Sequence, residues 1–100
     1  MRHVRFDIAS LALERVDVPL KAAYMLVVES DDSERPQWEV LAYALDRAPF
    51  EQKVHRVDVT TLDGRYFRGD AALVRSVEGA HVFRGAGELI GFDTAELGDP

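Results

Sequence analysis

The side chains best able to do chemistry in this sequence are three histidines, His3, His55 and His81, and their spacing limits what they can do together. No two of them stand at i, i+2 or i, i+4, so no single strand or helix presents a pair of metal ligands. A three-histidine site would need three strand ends to converge, and no metal or other cofactor is assigned. His55 is the strongest single candidate. The strand register derived below turns it inward, toward rows of glycine and alanine, where an imidazole can hydrogen-bond a ligand or act as a general base. The plainer reading is a histidine at the sheet margin, satisfied by a neighbour or by water.

Other reactive residue types are present without an arrangement. There is no cysteine, hence no thiolate nucleophile and no disulfide. Ser10, Ser30, Ser33, Ser76 and the Thr60-Thr61 pair lie in no nucleophile elbow, and the glycines match neither the phosphate loop nor the dinucleotide fingerprint. Asp70 and Glu88 are carboxylates close to the glycine-rich strands, but Arg56, Arg68 and Arg84 neutralise that face, which reads as a solvated ladder rather than an acid/base pair. Arg68-Gly69-Asp70 spells an adhesion tripeptide, yet it falls mid-strand, where no protruding loop presents it. No catalytic residue is assigned, and an enzyme with His55 as general base ranks third among the functional readings.

The charge narrows the partners. The formal net charge is −6, with twelve basic residues scattered among eighteen acidic ones, which disfavours nucleic acid as a polyanionic partner. Ten of the basic residues are arginine and only Lys21 and Lys53 are lysine, which suits fixed ion pairs better than a loosely solvated surface. Phe67, Phe83, Tyr66, Tyr24 and Trp38 could stack on bases, but with the Phe residues facing inward and the arginines paired they read as core. No stretch approaches the ~20 apolar residues of a spanning helix, and residues 1–7 hold no apolar run of signal-peptide length. The expected setting is therefore cytoplasmic, with no membrane partner. One hundred residues make a single small domain, able to bury roughly 65% of its unfolded surface.

The elements that position these residues are strands. Phe67-Arg68-Gly69-Asp70-Ala71-Ala72-Leu73-Val74 returns as Phe83-Arg84-Gly85-Ala86-Gly87-Glu88-Leu89-Ile90, with small residues between a Phe and a Leu on one face of a period-two pattern. A three-residue loop, Leu62-Asp63-Gly64, pairs Val59 with Phe67, Val57 with Gly69, His55 with Ala71, Asp58 with Arg68 and Arg56 with Asp70. A second three-residue loop, Val77-Glu78-Gly79, pairs Leu73 with Phe83, Ala71 with Gly85, Gly69 with Gly87 and Phe67 with Leu89. Arg68 then sits between Asp58 and Glu88 in a charge row.

Two inner rows result, Val57-Gly69-Gly87 and His55-Ala71-Gly85, with side-chain volume missing at their centre. The favoured reading is that the strands bend there or that a large residue such as Trp38 or Phe6 covers the groove. The alternative is a ligand pocket floored by Gly69, Ala71, Gly85 and Gly87 with His55 as its polar anchor.

Val4, Phe6 and Ile8 alternate as a first strand; the pattern loosens over 9–20, and Val16-Asp17-Val18-Pro19 suggests a bend or an edge. The run 22–28 offers apolar groups to both faces, and 38–45 reads as a strand in preference to a helix. Residues 30–36 form the one clear polar loop, and 93–100 read as a frayed acidic tail. The expected fold is all-β, about six mostly antiparallel strands in a small meander barrel or roll, closed between 4–8 and 82–90; the alternative is α+β with one helix near 37–47. Apolar side chains on both faces of the third and fourth runs place Tyr24, Leu26, Leu41 and Tyr43 on an outer surface that meets a partner. The leading functional reading is accordingly a non-catalytic assembly module, a homo-oligomer or accessory subunit, with the small-ligand barrel as its alternative.

Overall fold

The computed structural model describes residues 2–29 and 35–97. It holds seven strands, β1 (Arg2–Leu13), β2 (Val16–Val18), β3 (Leu20–Glu29), β4 (Gln37–Ala44), β5 (Val54–Thr61), β6 (Tyr66–Val77) and β7 (Ala80–Gly85), followed by a 3-10 turn at Thr94–Glu96. Six of them close into an antiparallel barrel in the order β1-β3-β4-β7-β6-β5, with β5 returning to β1 and the short β2 as an extra strand against β1. Most of the polar loop expected at 30–36 lies outside the described residues. The helical alternative for 37–47 is overturned: Trp38, Val40, Ala42 and Ala44 alternate into the interior of a strand held between β3 and β7.

The barrel does not close where the sequence suggests. Instead of joining 4–8 to 82–90, two three-stranded meanders, β1-β3-β4 and β5-β6-β7, lie side by side through the β4–β7 and β1–β5 pairs. In that ring β4 and β5 are diametrically opposite. Residues 45–53 must therefore cross one end of the barrel, and this crossing builds the candidate site.

Bulges explain where the period-two reading drifts. Between Ile8 and Ser10 the β1–β5 register shifts by one, so the buried positions change parity from Phe6 and Ile8 to Leu11 and Leu13. A second shift between Leu73 and Arg75 accompanies a correction to the turn after β6. Val77 pairs with Ala80, leaving the two-residue turn Glu78-Gly79 with φ of 49° and 88°, not the three-residue loop expected. The bulge compensates for the shorter turn, so Leu73 still faces Phe83 and Ala71 still faces Gly85. The β5–β6 register, with Gly64 at φ 88°, is as expected throughout.

Beyond Gly85 the derived pairs fail. Arg68 bridges to Ile90, so neither Gly69–Gly87 nor Phe67–Leu89 forms, and Glu88 is not the register partner of Arg68. Arg56 does pair with Asp70, Nε to Oδ1 at 3.0 Å. Residues 93–97, expected within a frayed tail, instead make a capped turn: Asp93 Oδ1 accepts from Ala95 N at 2.9 Å, Glu96 pairs with Arg65, and Leu97 is buried. Residues 98–100 lie outside the described part. The Arg65 guanidinium lies over the Phe67 ring at 4.8 Å, and Phe6, Phe67 and Phe92 pack together at this end.

Candidate functional site

The glycine rows are covered at Gly85 and Gly69. The Trp38 indole, 3% exposed, lies across Gly85 and Gly69, where a Cβ on Gly85 would stand 2.5 Å from Cδ1 and Cε2 and one on Gly69 would stand 2.8 Å from Cζ2. Its Nε1 donates to the Gly87 carbonyl at 3.0 Å. Of the coverings expected, a bend or a large residue such as Trp38 or Phe6, it is Trp38 that packs over Gly69 and Gly85. Ala71 is fully buried, and the position of a Gly87 Cβ has nothing within 4 Å. His55 remains opposite Ala71 but belongs to a different space.

That space is a cleft of about 350 Å3 at the barrel end crossed by residues 45–53. Its walls come from three places. The β1–β2 hairpin contributes Leu13, Glu14, Val16 and Asp17, with Val18 and Pro19 leading into β3. The crossing segment contributes Asp46, Ala48, Pro49, Phe50, Glu51 and Lys53. Ala44 and His55 stand at the ends of β4 and β5.

Each wall is fixed by identifiable bonds. Leu45 N donates to the Pro19 carbonyl at 3.0 Å, and Asp46 Oδ1 accepts from Ala48 N at 2.9 Å, which starts the crossing as an Asx turn. Phe50 N donates to Ser76 Oγ at 3.1 Å, and the Phe50 ring stacks on His81 with centroids 4.1 Å apart. Ser76 Oγ in turn lies 2.8 Å from His81 Nδ1. Ser76 reaches that inward position because the Leu73/Arg75 bulge resets strand parity. Burial pushes the His81 pKa below its ordinary value by desolvation, so this ring is held neutral against Phe50.

His55 is 5% exposed. One ring nitrogen, Nε2, lies 2.7 Å from the Glu51 carbonyl. A carbonyl only accepts, so Nε2 carries the proton and Nδ1 of the neutral ring keeps its lone pair. That Nδ1 is buried and finds no hydrogen-bond partner among the described residues. The nearest carboxylate oxygen is Glu14 Oε1 at 4.0 Å, too far for a hydrogen bond.

Glu14 is held in place at a conformational cost. The β1–β2 turn is the residue pair Glu14-Arg15, with φ of 53° and 67°, a geometry that normally selects Asn-Gly. Two non-glycine residues in the left-handed region cost about 1 kcal/mol or more each. Glu14 N donates to the Arg56 carbonyl at 2.9 Å and Oε1 accepts from Arg56 N at 3.1 Å, which clamps the carboxylate onto β5 beside His55. Strain, a carboxylate and an unsatisfied imidazole nitrogen therefore coincide at one cleft. The sequence gives no hint of Glu14 or Phe50: the turn contains neither Gly nor Asn, and Phe50 reaches the cleft only through the crossing of 45–53.

The four outer-surface residues do share one face. Tyr24 is opposite Leu41 and Leu41 opposite Val82, giving an apolar row across β3, β4 and β7, and Tyr43 lies between Ala22 and Ala80 in the next row. Leu26 pairs with Glu39. Tyr43 is exposed, whereas Tyr24, Leu26 and Leu41 are half-buried, with the Arg5 guanidinium 4.2 Å over the Tyr24 ring. Among the described residues no helix is long and apolar enough to cross a membrane. Comparison with protein-family models, curated proteins and solved structures yields no match to this chain, so any functional reading rests on the cleft and this face.

Proposed function

We propose that the protein is a small-ligand-binding barrel whose site is the end cleft, with His55 as its polar anchor. The observation that carries this reading is the His55 Nδ1: a buried acceptor left without a partner costs about 1–3 kcal/mol, and it stands in the wall of an apolar concavity large enough for a small molecule. A ligand donor would relieve that cost. The test is a fragment screen read by amide chemical shifts on the whole chain, alongside an Ala48→Trp variant that fills the cleft from its exposed rim. Shifts should gather at residues 13–19, 45–51 and 55 and disappear in the variant. Shifts gathered elsewhere, or unchanged in Ala48→Trp, would refute the reading.

A second reading, self-association or docking as an accessory subunit, draws on the apolar row Tyr24-Leu41-Val82 and its neighbours Leu26 and Tyr43. Sedimentation velocity of the wild type and of Leu26→Glu tests it. A multimer dissociated by the charge supports assembly through this face, and an unchanged state removes the support.

A further inference from the structure

Resting on the ligand-binding reading of the cleft, we infer that its ligand is a small hydrophobic amine, bound as the ammonium between His55 and Glu14. The argument begins with the two acceptors. His55 Nδ1 and Glu14 Oε1 are 4.0 Å apart. A nitrogen placed about 2.8 Å from each, the usual length of a charge-assisted hydrogen bond, sees them at an angle of about 90°, which two N–H bonds of one ammonium can serve together. A hydroxyl has one proton and can serve only one of them. A carboxylate has no donor at all and would face Glu14 with like charge.

The surrounding charge agrees. Four carboxylates, Glu14, Asp17, Asp46 and Glu51, line the cleft against one lysine, Lys53, whose Nζ lies 3.9 Å from Glu51 Oε2. Arg15 and Arg56 also lie near Glu14, but they line a neighbouring surface outside the cleft, where Arg56 is committed to Asp70 through a side-chain ion pair. The acidic lining alone would be an ordinary solvated rim. The buried, unpartnered His55 nitrogen distinguishes this site, because it needs a donor and the rim prefers that donor to be cationic. The apolar body of the ligand would rest on Leu13, Val18, Pro19, Pro49 and Phe50. Phe50 is braced from behind by His81 and Ser76, so the wall it offers is already ordered before binding.

The experiment compares three ligands of nearly one shape on the intact wild-type chain: 2-phenylethylamine, 2-phenylethanol and 3-phenylpropionate, each titrated to millimolar concentration with amide shifts as readout. The amine should saturate the shifts around Glu14, Phe50 and His55 at a concentration about tenfold below the alcohol, and the acid should bind weakest. Glu14→Gln should bring the amine down to the level of the alcohol without changing the alcohol, and its thermal unfolding curve shows that the comparison is made on folded protein. If the alcohol or the acid equals the amine at the cleft, the amine assignment is wrong while the cleft remains a binding site. If none of the three perturbs these residues, the ligand-binding reading fails with it. The wild-type series decides the assignment even where Glu14→Gln does not fold.

Discussion

Gly85→Ala isolates the packing of Trp38 over the small-residue rows. Gly85 does not use a positive φ, so alanine is acceptable to the backbone and the substitution is purely steric. The new Cβ would stand 2.5 Å from Cδ1 and Cε2 of the indole, where carbon atoms normally keep about 3.5–4.0 Å. The ring must therefore retreat by about 1 Å. It is 3% exposed and tied through Nε1 to the Gly87 carbonyl at 3.0 Å, so the retreat also lengthens that hydrogen bond past its useful range. Overpacking costs about 1–3 kcal/mol and the weakened bond about 1 kcal/mol, giving a loss of about 2–4 kcal/mol. In a domain of this size a loss of 3 kcal/mol lowers Tm by about 12 °C or more. Urea unfolding of Gly85→Ala, Trp38→Leu and the double variant measures it. Removing the indole ring altogether should make the alanine far cheaper, a coupling of about 1 kcal/mol or more. A Gly85→Ala protein within about 0.5 kcal/mol of wild type would show that the indole does not rest on Gly85.

Gly87→Ala is the contrasting case: with nothing near its Cβ, stability by the same urea assay should stay within about 0.5 kcal/mol of wild type or rise slightly. At the β1–β2 turn, Arg15→Gly should stabilise by about 0.5–1 kcal/mol in thermal unfolding, relief of the left-handed strain exceeding the added freedom of the unfolded chain. His81 supplies a pH dependence. Its folded pKa lies below the ordinary 6.5, so above that value neither state binds the proton and its contribution to stability is complete. As the pH falls below about 6.5 the unfolded chain takes up a proton that the buried ring resists, and stability declines toward the lowered folded pKa. Urea midpoints for wild type and His81→Phe between about pH 7.5 and pH 5 should converge or cross as the wild type loses this contribution, whereas parallel curves would place His81 outside the titration.

Local patterning carries the second meander a long way and the closure hardly at all. The β5–β6 register follows from one glycine at a bulge position and two cross-strand charge pairs, all within twenty or so residues. The β6–β7 pairs Leu73–Phe83 and Ala71–Gly85 are also as derived, but for a different reason: a two-residue turn plus a bulge leaves the same offset as a three-residue loop. Two local errors that cancel are invisible to periodicity. The partner of β1 is another matter, since Val4, Phe6 and Ile8 present the same inward face to either neighbour. Only the decision to cross the barrel end after β4, which the polar stretch Asp46-Arg47-Ala48-Pro49 permits but does not dictate, selects β5 over β7.

The same crossing explains why His55 was legible as an inward side chain while its surroundings were not. Its orientation depends on strand parity alone, and parity was correct. What it faces depends on the diametric separation of β4 and β5, which brings Glu51 onto it and Phe50 into the same cleft, and on the turn at Glu14-Arg15, whose residues argue against the conformation they adopt. A turn that wanted only to connect β1 to β2 would be cheaper as Asn-Gly. Keeping glutamate there places a carboxylate oxygen 4.0 Å from an imidazole nitrogen that has no other partner, and neither group is satisfied by the other. The strained turn holds the carboxylate beside His55, and a donor placed between the two groups would offset the cost of the unmet hydrogen bond, which is the physical reason to look for a cationic ligand at this end of the barrel and not over the glycines.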